Sequence, residues 1–429
     1  MYKRVLLINC AINQISRKKI KSAVSSPNLG MISIASTLLM HGYEVKILDF
    51  FVEEISINQF IDILNEFQPE VIGFSVYTRT TKFMEKIIKI IKQIKYNAKI
   101  IVGGPHPTFQ SKEMLDQYPI DFVIRGEGEF TFIKLLEYLN YPDQYSIDNI
   151  KGISYRCEER VVENADTGYI QNLDALPLQA IDLIKREKYS SPFTISTSRG
   201  CPGDCVYCAS RAMSGHKYRK KTAENIIGEI LYLRKKLDTN KFIILDDTFT
   251  ADEERLNNFI NYLIKIDESF TYRIESRGDV LTESMLHSLK DSGCKVVHTG
   301  IESGSQEVLN KIGKKINLDE SLGLVRYGKD IGLHMVCSFI IGHYSDSHET
   351  IEATLELMQD LKKNNIEVSI SMCTPFPGTP LYINRDKLGV KLHSHSWEEY
   401  DFGNVIISTK HLTQQDLRDY LFKGVELCK

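Results

Sequence analysis

The first third of the chain alternates short apolar runs with longer segments whose apolar residues recur at helical spacing. The apolar runs are VLLIN (5–9), YEVKILDF (43–50), VIGFSVYT (71–78), AKIIVGGP (98–105) and DFVIRG (121–126). The segments beside them predict helices at 30–42, 57–67, 80–95 and 129–140. Short buried strands separated by helices indicate an α/β domain with a doubly wound parallel sheet over residues 1–140. Such sheets bind their ligands at the carboxyl ends of the strands.

A second alternating series predicts a barrel over residues 191–380. Its strands are expected at 193–198, 241–247, 272–277, 295–302, 334–342 and 367–375. Helical patterns are found at 222–236, 252–265, 282–291, 304–311, 318–330 and 348–363. Six βα units in succession are typical of a TIM-like (β/α)6 barrel, partial or full, rather than of a second open sheet. We expect a partial barrel with its chemistry at the carboxyl ends of the strands.

Two further segments complete the predicted organisation. Residues 141–190 hold many turn residues and a short hairpin-like pair, so they are predicted to form a connector. Residues 381–429 contain the single tryptophan, Trp397, and one short helical pattern. This last segment is predicted to form a short C-terminal cap.

Composition narrows the class of protein. Hydrophobic residues make up 42% and charged residues 25%, as in ordinary globular proteins, which excludes a disordered chain. Lys and Arg total 53 against 56 Asp and Glu, so no nucleic-acid partner is expected. No apolar run approaches the roughly 18 residues of a membrane span, and the first one ends at Asn9, too early for a signal peptide. Nine cysteines, too sparse for a disulfide scaffold, favour a reducing, cytoplasmic setting.

Three of the nine cysteines crowd into one loop after the first barrel strand. The loop reads SRGCPGDCVYCAS (198–210) and holds Cys201, Cys205 and Cys208 at the spacing C-x3-C-x2-C. Three thiolates in a polar loop suit a cubane iron–sulfur cluster with one iron left open for a small ligand. A zinc site is the alternative, but it needs a fourth ligand and only His216 is near. The other six cysteines are isolated and are expected to be small buried hydrophobic residues.

The cysteine loop resembles the signature of the radical S-adenosylmethionine (SAM) superfamily, including the aromatic Tyr207 before the last cysteine. Further blocks that resemble this family are LDDTF (245–249), RIESRGDVL (273–281), GIESGS (300–305) and TPFPGTPLY (374–382). The resemblance implies that the three cysteines bind three irons of a [4Fe–4S] cluster and that SAM chelates the fourth iron. Reductive cleavage of SAM would then release a 5′-deoxyadenosyl radical, with the electron supplied by a flavodoxin- or ferredoxin-type donor.

Polar residues at the ends of the barrel strands are candidates to bind SAM. Asp246 and Asp247 are adjacent carboxylates suited to ribose hydroxyls or an amine, or else to a helix cap. Glu302 and the following serine suit the ribose or ammonium group, or else a salt bridge and a cap. Arg277 suits a carboxylate, or else an ion pair with Asp247 or Glu302. The full expected set is Tyr207, Asp246, Asp247, Arg277, Glu302, Ser303 and Gly342.

The turn after the fifth barrel strand departs from the family pattern. It reads GHYSDSHE (342–349) where the family often has Gly-Leu-Pro-Gly-Glu-Thr. Gly342 and Glu349 keep the frame of that pattern. His343 and His348 are expected to be solvated turn residues, with a position facing the substrate as the alternative.

Loops of the first domain resemble the cobalamin-binding, Rossmann-like domain that precedes the barrel in one large radical SAM subfamily. The resemblance rests on PNLG (27–30), VGGPHPT (102–108) and IRGEGE (124–129), each after its strand. Because no G-x-G-x-x-G motif is present, a nicotinamide cofactor is disfavoured. The resemblance implies cobalamin contacts from Gly30, Thr78, Gly103, Gly104, Pro105, His106, Gly126, Glu127 and Glu129.

The chain's histidines bear on how cobalamin would be held. None of the 11 histidines lies in an Asp-x-His-x-x-Gly motif, so no protein imidazole is expected on cobalt. His106 has a second interpretation, a loop histidine hydrogen-bonded to the backbone. The whole domain has one as well, since it can keep the fold and have lost the cofactor.

The sequence therefore favours a cobalamin-dependent radical SAM C-methyltransferase that acts on an unactivated carbon in specialised biosynthesis. The substrate would be a small molecule, free or bound to a carrier. The alternative is an enzyme of the same scaffold that performs cyclisation, ring contraction, dehydration or epimerisation without methyl transfer. A non-catalytic metal-binding module is the hypothesis from another class. Methylthiotransfer is disfavoured because the first domain has only Cys10, and auxiliary clusters because Cys373 and Cys428 are far apart.

Overall fold

A computed structural model describes residues 2–12, 25–266 and 269–429 of the chain. Met1, residues 13–24 and residues 267–268 lie outside the described part. The chain divides into two compact units, Met1–Pro192 and Phe193–Lys429.

The first unit is built on a seven-stranded sheet. Its strands are β1 (Arg4–Asn9), β2 (Glu44–Asp49), β3 (Val71–Ser75), β4 (Lys99–Gly103), β5 (Phe122–Ile124), β6 (Ile153–Cys157) and β7 (Arg160–Glu163). The first five are parallel in the order β2-β1-β3-β4-β5, and β6 and β7 extend the sheet antiparallel beyond β5. The strand order reverses between β1 and β3, which makes their carboxyl ends the topological switch point.

Helices cover both faces of this sheet. They are α1 (Leu29–Met40), α2 (Ile57–Phe67), α3 (Thr81–Gln93), α4 (Pro105–Phe109), α5 (Ser111–Gln117) and α6 (Glu129–Asn140). Leu6 and Ile8 of β1 belong to one buried cluster, with α2, α3 and α5, whereas Val5 and Leu7 belong to a second, with α1 and α6. Because successive residues of a strand face opposite sides, this division is what a doubly wound sheet requires. The predicted fold class is confirmed.

The segment 141–190, predicted to be a connector, lies within the first unit. The hairpin expected in it is β6 and β7, and Phe122 of β5 pairs with Tyr155 of β6. The segment therefore contributes two strands to the first sheet instead of standing apart from it.

The second unit is built on a six-stranded parallel sheet. The strands of this unit are β8 (Thr194–Ile195), β9 (Ser198–Arg199), β10 (Arg219–Lys220), β11 (Lys241–Ile244), β12 (Thr271–Arg277), β13 (Cys294–Glu302), β14 (His334–Ile341), β15 (Glu367–Met372), β16 (Lys391–Leu392) and β17 (Ile407–Ser408). The sheet order is β15-β14-β13-β12-β11-β8, with β8 and β15 as its two edges, so the barrel is partial. Two short antiparallel pairs, β9 with β10 and β16 with β17, accompany it.

Helices alternate with the barrel strands. They are α7 (Ala209–Ser214), α8 (Ala223–Leu237), α9 (Glu253–Leu263), α10 (Glu283–Asp291), α11 (Gln306–Lys311), α12 (Leu318–Asp330), α13 (His348–Lys363), α14 (Pro380–Ile383) and α15 (Gln414–Cys428). The helices α8 to α13 each begin at a residue whose side chain accepts a hydrogen bond from the first turn, which explains where they start. These N-cap residues are Thr222, Asp252, Thr282, Ser305, Asn317 and Ser347.

The helix of the C-terminal segment is longer than the one short helix predicted for the cap. Its helix α15 spans 15 residues. At Gly424 a Cβ atom would lie 2.3 Å from Cδ1 of Ile370 on β15, so the helix packs closely against the edge strand of the barrel. In the described part of the chain, no helix is both long and apolar enough to cross a membrane.

Candidate active site at the barrel mouth

The loop of the three cysteines follows β9 and leads into α7. Cys201 and Cys205 are buried, and Cys208 is half-buried at the N-cap of α7. The loop is fixed to the barrel by a hydrogen bond from Val206 N to Ile312 O, 3.0 Å long. Gly200, at φ +87°, starts the loop, and a Cβ there would lie 2.4 Å from Lys217 O. The sequence thus folds here into a tight loop that holds the thiols at the barrel's carboxyl end.

The surroundings of the thiols suit iron–sulfur ligation. Gly203 N donates a hydrogen bond to Cys201 Sγ at 3.5 Å, and Thr248 Oγ1, which donates its own hydrogen to Asp247 O, lies 3.7 Å from the same sulfur atom. Donors of this kind stabilise the thiolate form and tune a cluster. Within residues 2–12, 25–266 and 269–429, no three Cys, His, Asp or Glu side chains are grouped as ligands of one metal ion. His216, the nearby residue considered as the fourth ligand of a zinc site, has its Nε2 3.1 Å from Asp204 Oδ1.

Arg277 lies beside the cysteine loop and is buried. Its Nε and Nη2 donate to the two carboxylate oxygens of Asp279 at 2.9 and 2.8 Å, and Nη2 also donates to Lys314 O at 2.8 Å. Burial opposes the charged form, but the pairing with Asp279 outweighs it and raises the pKa of Arg277. The alternative of an ion pair with Asp247 or Glu302 is therefore wrong, because a turn at 278–280 brings the nearer carboxylate of Asp279 to the guanidinium.

The two adjacent carboxylates after β11 have different surroundings. Asp246 is buried, and its Oδ1 accepts from the backbone N of Thr197 and Ser198 at 2.6 and 3.1 Å. Its Oδ2 accepts from the hydroxyls of the same two residues. These contacts favour a structural role for Asp246, which fixes the strand that leads to the cysteine loop. Contact of Asp246 with SAM stays a prediction.

Asp247, in contrast, is exposed. Desolvation by the surrounding protein nevertheless raises the pKa of this carboxyl, and a hydrogen bond from Ser210 opposes the change. Neighbouring protein atoms thus desolvate the carboxyl group in part, although the residue keeps access to solvent. Asp247 therefore remains available to a ligand.

Glu302 ends β13 in a left-handed backbone conformation, at φ +73°. The register of β13 against β14 shifts between Gly300 and Glu302, and a Cβ at Gly300 would lie 2.2 Å from Glu302 Oε1. Both features direct the carboxylate of Glu302 into the space over Gly300, which any side chain at position 300 would fill. Such strain in a residue other than glycine is typical of functional sites. Ser303 is buried beside it and accepts a hydrogen bond from Ser305 N at 3.1 Å.

A lysine that the sequence analysis missed pairs with Glu302. Lys314 Nζ donates to Glu302 Oε1 at 2.8 Å, and both side chains are almost fully buried. Lys314 lies in the loop after α11, and a Gly-Lys-Lys segment gives no periodic signal that marks one lysine as buried. The barrel mouth therefore contains a buried ion pair in direct contact.

The turn after β14 brings Gly342 and His343 into the interior. Gly342 has φ +83°, and a Cβ there would lie 1.9 Å from Met372 Cε. Asp346 Oδ2 accepts from the backbone N of both turn residues at 2.9 Å. His343 is buried with its ring centroid 5.1 Å from that of Tyr207, and burial lowers its pKa.

The expectation of solvated turn histidines is thus wrong for His343, because the Asp346 bonds fold the turn inward. His348 is exposed, and its Nδ1 lies 3.0 Å from Tyr420 Oη. Burial raises the pKa of Tyr207 well above the ordinary value, and the charge of Glu302 adds to this effect. Tyr207, Glu302 and His343 thus belong to one neighbourhood of the barrel mouth.

In the first unit, the residues expected to contact cobalamin follow the strands of the parallel sheet. Thr78 starts the turn after β3, Gly103 ends β4, and Gly126 follows β5. Gly30 is exposed in the first turn of α1, and Pro105 is the first residue of α4. The carboxyl ends of parallel strands lie at one edge of a sheet, so β3, β4 and β5 direct their loops to the same edge.

Two of these positions have left-handed backbone. Gly104 has φ +102°, and a Cβ there would lie 3.0 Å from Val76 O, whereas at Gly126, with φ +73°, no atom lies within 4 Å of an added Cβ. The edge is thus open at Gly126, which suits a large ligand approaching the main chain. Next to Gly104, His106 is buried, and burial lowers its pKa to about 4. That no protein imidazole binds cobalt stays a prediction.

The two glutamates of the cobalamin set have protein partners. Glu127 Oε2 accepts from Ile170 N at 2.6 Å, and Glu129 Oε1 accepts from Ser33 Oγ at 2.7 Å. These bonds fix the loop after β5 and the start of α6. The structure thus gives both carboxylates a structural role, and their contact with cobalamin stays a prediction.

A buried polar network at the switch point was not identified from the sequence. Asn28 Nδ2 donates to Asn9 Oδ1 and Ser75 Oγ at 3.1 and 3.0 Å, which joins the ends of β1 and β3. Asp49 accepts from Asn9 Nδ2 at 2.8 Å and from Tyr189 Oη at 2.6 Å. Asn9 and Asp49 each end an apolar run, a signal that was present, whereas Tyr189 comes from the supposed connector.

Two family models and several known proteins match the chain. The model of the B12 binding domain matches residues 19–136, and that of the Radical SAM superfamily matches residues 195–379. An uncharacterised methyltransferase of Pyrococcus horikoshii is 32% identical over 93% of this chain and 87% of its own length. The cytidylyl-2-hydroxyethylphosphonate methyltransferase of Streptomyces wedmorensis is 28% identical over 80% of this chain and 73% of its own length.

The chain is similar in fold to a solved structure. That structure is the cobalamin-dependent SAM radical enzyme OxsB with aqua-cobalamin and SAM bound, with a TM-score of 0.80 and 20% sequence identity. The match covers 97% of this chain and 66% of that chain.

Fold and site together define an iron–sulfur enzyme with a partial barrel that carries the thiol loop and a doubly wound domain that precedes it. The chain belongs to the radical SAM superfamily, with a B12-binding domain ahead of the barrel. Its cofactors are a [4Fe–4S] cluster, SAM and cobalamin, as predicted. The hypothesis of a non-catalytic module is wrong.

Proposed function

We propose that the protein is a cobalamin-dependent radical SAM C-methyltransferase that acts on an unactivated carbon of a biosynthetic substrate. The observation that carries the proposal is the pairing of a B12-binding domain with a barrel whose mouth holds three thiols and a buried acid–base pair. The two curated relatives described above are both named methyltransferases, which supports methyl transfer over the other reactions of this scaffold.

The residues at the barrel mouth fit the group that this chemistry needs. Cys201, Cys205 and Cys208 would hold the cluster. When bound, the cluster and SAM supply the 5′-deoxyadenosyl radical, and cobalamin supplies the methyl group. The protein's own contribution is to bind these groups in fixed positions and to exclude water.

Two charged elements of the site suit the polar groups of SAM. Asp247 is an accessible carboxylate that can accept hydrogen bonds from hydroxyl or ammonium groups. Lys314 holds Glu302 in place before any ligand arrives, so the orientation of this carboxylate is already set. Tyr207 and His343 add two rings, with centroids 5.1 Å apart, on the side of the cysteine loop.

The test is to reconstitute the full chain anaerobically with iron, sulfide and cobalamin and to add SAM and a low-potential reductant. Methyl transfer predicts that reduced cobalamin in the protein consumes SAM and releases S-adenosylhomocysteine, even without substrate. Reactions of the alternative type predict 5′-deoxyadenosine and no S-adenosylhomocysteine. A protein that shows no cobalamin in its visible spectrum contradicts the proposal.

A variant separates SAM cleavage from cobalamin binding. Cys201→Ala removes one cluster ligand, so 5′-deoxyadenosine formation should fall to background while cobalamin binding is unchanged. Cys337→Ala is the matched control, since Cys337 is a buried cysteine in the middle of β14. We expect this control to retain the cluster and the SAM cleavage.

Partners and setting belong to the same proposal. All nine cysteines are unpaired, which suits a reducing, cytoplasmic environment. A flavodoxin- or ferredoxin-type donor would supply the electron. The substrate would be a small molecule, free or bound to a carrier.

A further inference from the structure

The guanidinium of Arg277 is aimed at one of the expected cluster ligands, Cys205. Its Nη1 lies 3.7 Å from Cys205 Sγ. The opposite side of the group is fixed, since Nε and Nη2 donate to Asp279 and Nη2 also donates to Lys314 O. With only 8% of the Arg277 side chain exposed, these bonds determine the direction of the remaining nitrogen.

The cysteine loop is shaped to admit this cation. A Cβ at Gly203 would lie 2.2 Å from Arg277 Nη1 and 3.4 Å from Cys201 Sγ. Gly203 is not among the glycines with positive φ, so a larger residue is excluded here by space rather than by backbone conformation. The absence of a side chain at Gly203 thus makes room for the guanidinium beside Cys201 and Cys205.

A buried cation in this position affects the two oxidation states of a cluster differently. A cubane held by three thiolates is an anion, and one-electron reduction adds another negative charge. The attraction to a fixed positive charge grows with that added charge, and it is strong where water is excluded. Hydrogen bonds to ligand sulfur atoms raise the reduction potential in the same way.

We propose that Arg277, held by Asp279, is a positioning residue that raises the reduction potential of the cluster through its contact with the Cys205 thiolate. The step concerned is the transfer of one electron from a low-potential donor to the cluster, and no covalent bond forms or breaks in it. The proposal depends on the cluster and not on methyl transfer, so it stands or falls separately from the proposed function.

The test is a potentiometric titration of the anaerobically reconstituted full chain without SAM, followed by electron paramagnetic resonance of the reduced cluster. Arg277→Met removes the charge, and we expect the ratio of reduced to oxidised cluster at a fixed potential to fall at least tenfold. For a one-electron couple this equals a shift of about 59 mV to more negative potential. Arg277→Lys keeps a charge without the planar fork and should give a smaller shift. An unchanged potential in Arg277→Met with full iron content overturns the proposal.

A further variant keeps the test decisive if Arg277→Met does not assemble a cluster. Gly203→Ala keeps Arg277 and Asp279 but displaces the guanidinium from the cysteine loop, so it should lower the potential. If it leaves the potential unchanged, the proposal is wrong. Lys315→Met is the matched control, because this exposed lysine pairs with Asp204 of the same loop and should leave the potential unchanged.

SAM binding distinguishes this role from the one expected from the sequence. If Arg277 bound the SAM carboxylate, Arg277→Met would weaken SAM binding and leave the potential of the SAM-free cluster unaltered. Equilibrium binding of SAM to each variant, measured beside the titration, therefore shows which of the two groups the guanidinium serves.

Discussion

The barrel mouth and the carboxyl edge of the first sheet are both expected ligand sites on parallel strands, but they rely on different kinds of residue. At the barrel mouth, charged side chains are paired before any cofactor arrives, as in Glu302 with Lys314 and Arg277 with Asp279. At the carboxyl edge of the first sheet, four of the nine expected cobalamin contacts are glycines, and the two glutamates of the set have protein partners. The barrel mouth is preorganised by its charge pairs, whereas the carboxyl edge of the first sheet leaves backbone open to a large ligand. Substitutions that remove charge and substitutions that add a Cβ should therefore act differently on the two.

The largest effect is expected from breaking the buried pair of the barrel mouth. Glu302→Gln leaves the ammonium of Lys314 buried without its anion, which should lower the free energy of unfolding by about 3–5 kcal/mol. The double variant Glu302→Gln/Lys314→Met removes both charges and should recover part of this loss. Chemical denaturation of the cofactor-free chain, followed by the fluorescence of Trp397 in the same unit, measures it.

An exposed pair provides the control for that prediction. Glu307 and Lys311 pair across one turn of α11 at 2.6 Å. Glu307→Gln should leave stability unchanged within measurement, because exposed pairs contribute little. Equal losses in Glu302→Gln and Glu307→Gln would show that the barrel mouth is not preorganised by its charges.

Buried His106, at the carboxyl edge of the first sheet, should make the free energy of unfolding depend on pH. The folded imidazole of His106 stays neutral down to its pKa of about 4, whereas the unfolded one takes up a proton below about pH 6.5. The unfolded state therefore binds more protons between these values, and the free energy of unfolding falls as the pH is lowered through them. The full loss is about 3 kcal/mol.

Hydrogen–deuterium exchange of peptides from β4 and α4 at pH 6.5 and pH 4.5 reports this dependence locally. His106→Gln should lose the extra dependence on pH, whereas His41→Gln, at an exposed position of the same unit, should keep it. If both variants behave like the original chain, His106 does not titrate as its burial predicts.

The sequence was sufficient where one residue type or one period carries the information. The strand and helix periods predicted the fold class, which is confirmed, and the spacing of Cys201, Cys205 and Cys208 predicted an iron–sulfur cofactor. What the sequence did not show was which side chains pair with each other. Lys314 reaches Glu302 across a helix and a loop, and a contact between separate segments leaves no local trace. Arg277 pairs with Asp279, two residues away, only because a turn forms there. His343 reads as a polar turn residue until the Asp346 bonds fold it inward.

Two glycines of the first edge give the finest test of the comparison. Gly104 and Gly126 both have left-handed backbone, so alanine at either position costs strain of about 1 kcal/mol. At Gly104 the new methyl group also meets Val76 O at 3.0 Å, so Gly104→Ala should cost about 2–3 kcal/mol in total.

At Gly126 the added methyl group meets no protein atom, so its effect reports on the ligand. If the open edge is where cobalamin approaches the main chain, Gly126→Ala should weaken cobalamin binding more than it lowers the unfolding temperature of the cofactor-free chain. The methyl group of Gly104→Ala would point at Val76 O of the protein and not into open space, so this variant should show a lower unfolding temperature and a cobalamin affinity that falls only as the fold weakens. Titration of each variant with aqua-cobalamin, followed in the visible spectrum, and thermal unfolding without it give the two quantities. Unaltered cobalamin affinity in Gly126→Ala would mean that the ligand lies elsewhere along the edge. Open backbone at Gly126 would then not be what distinguishes this edge from the barrel mouth with its paired charges.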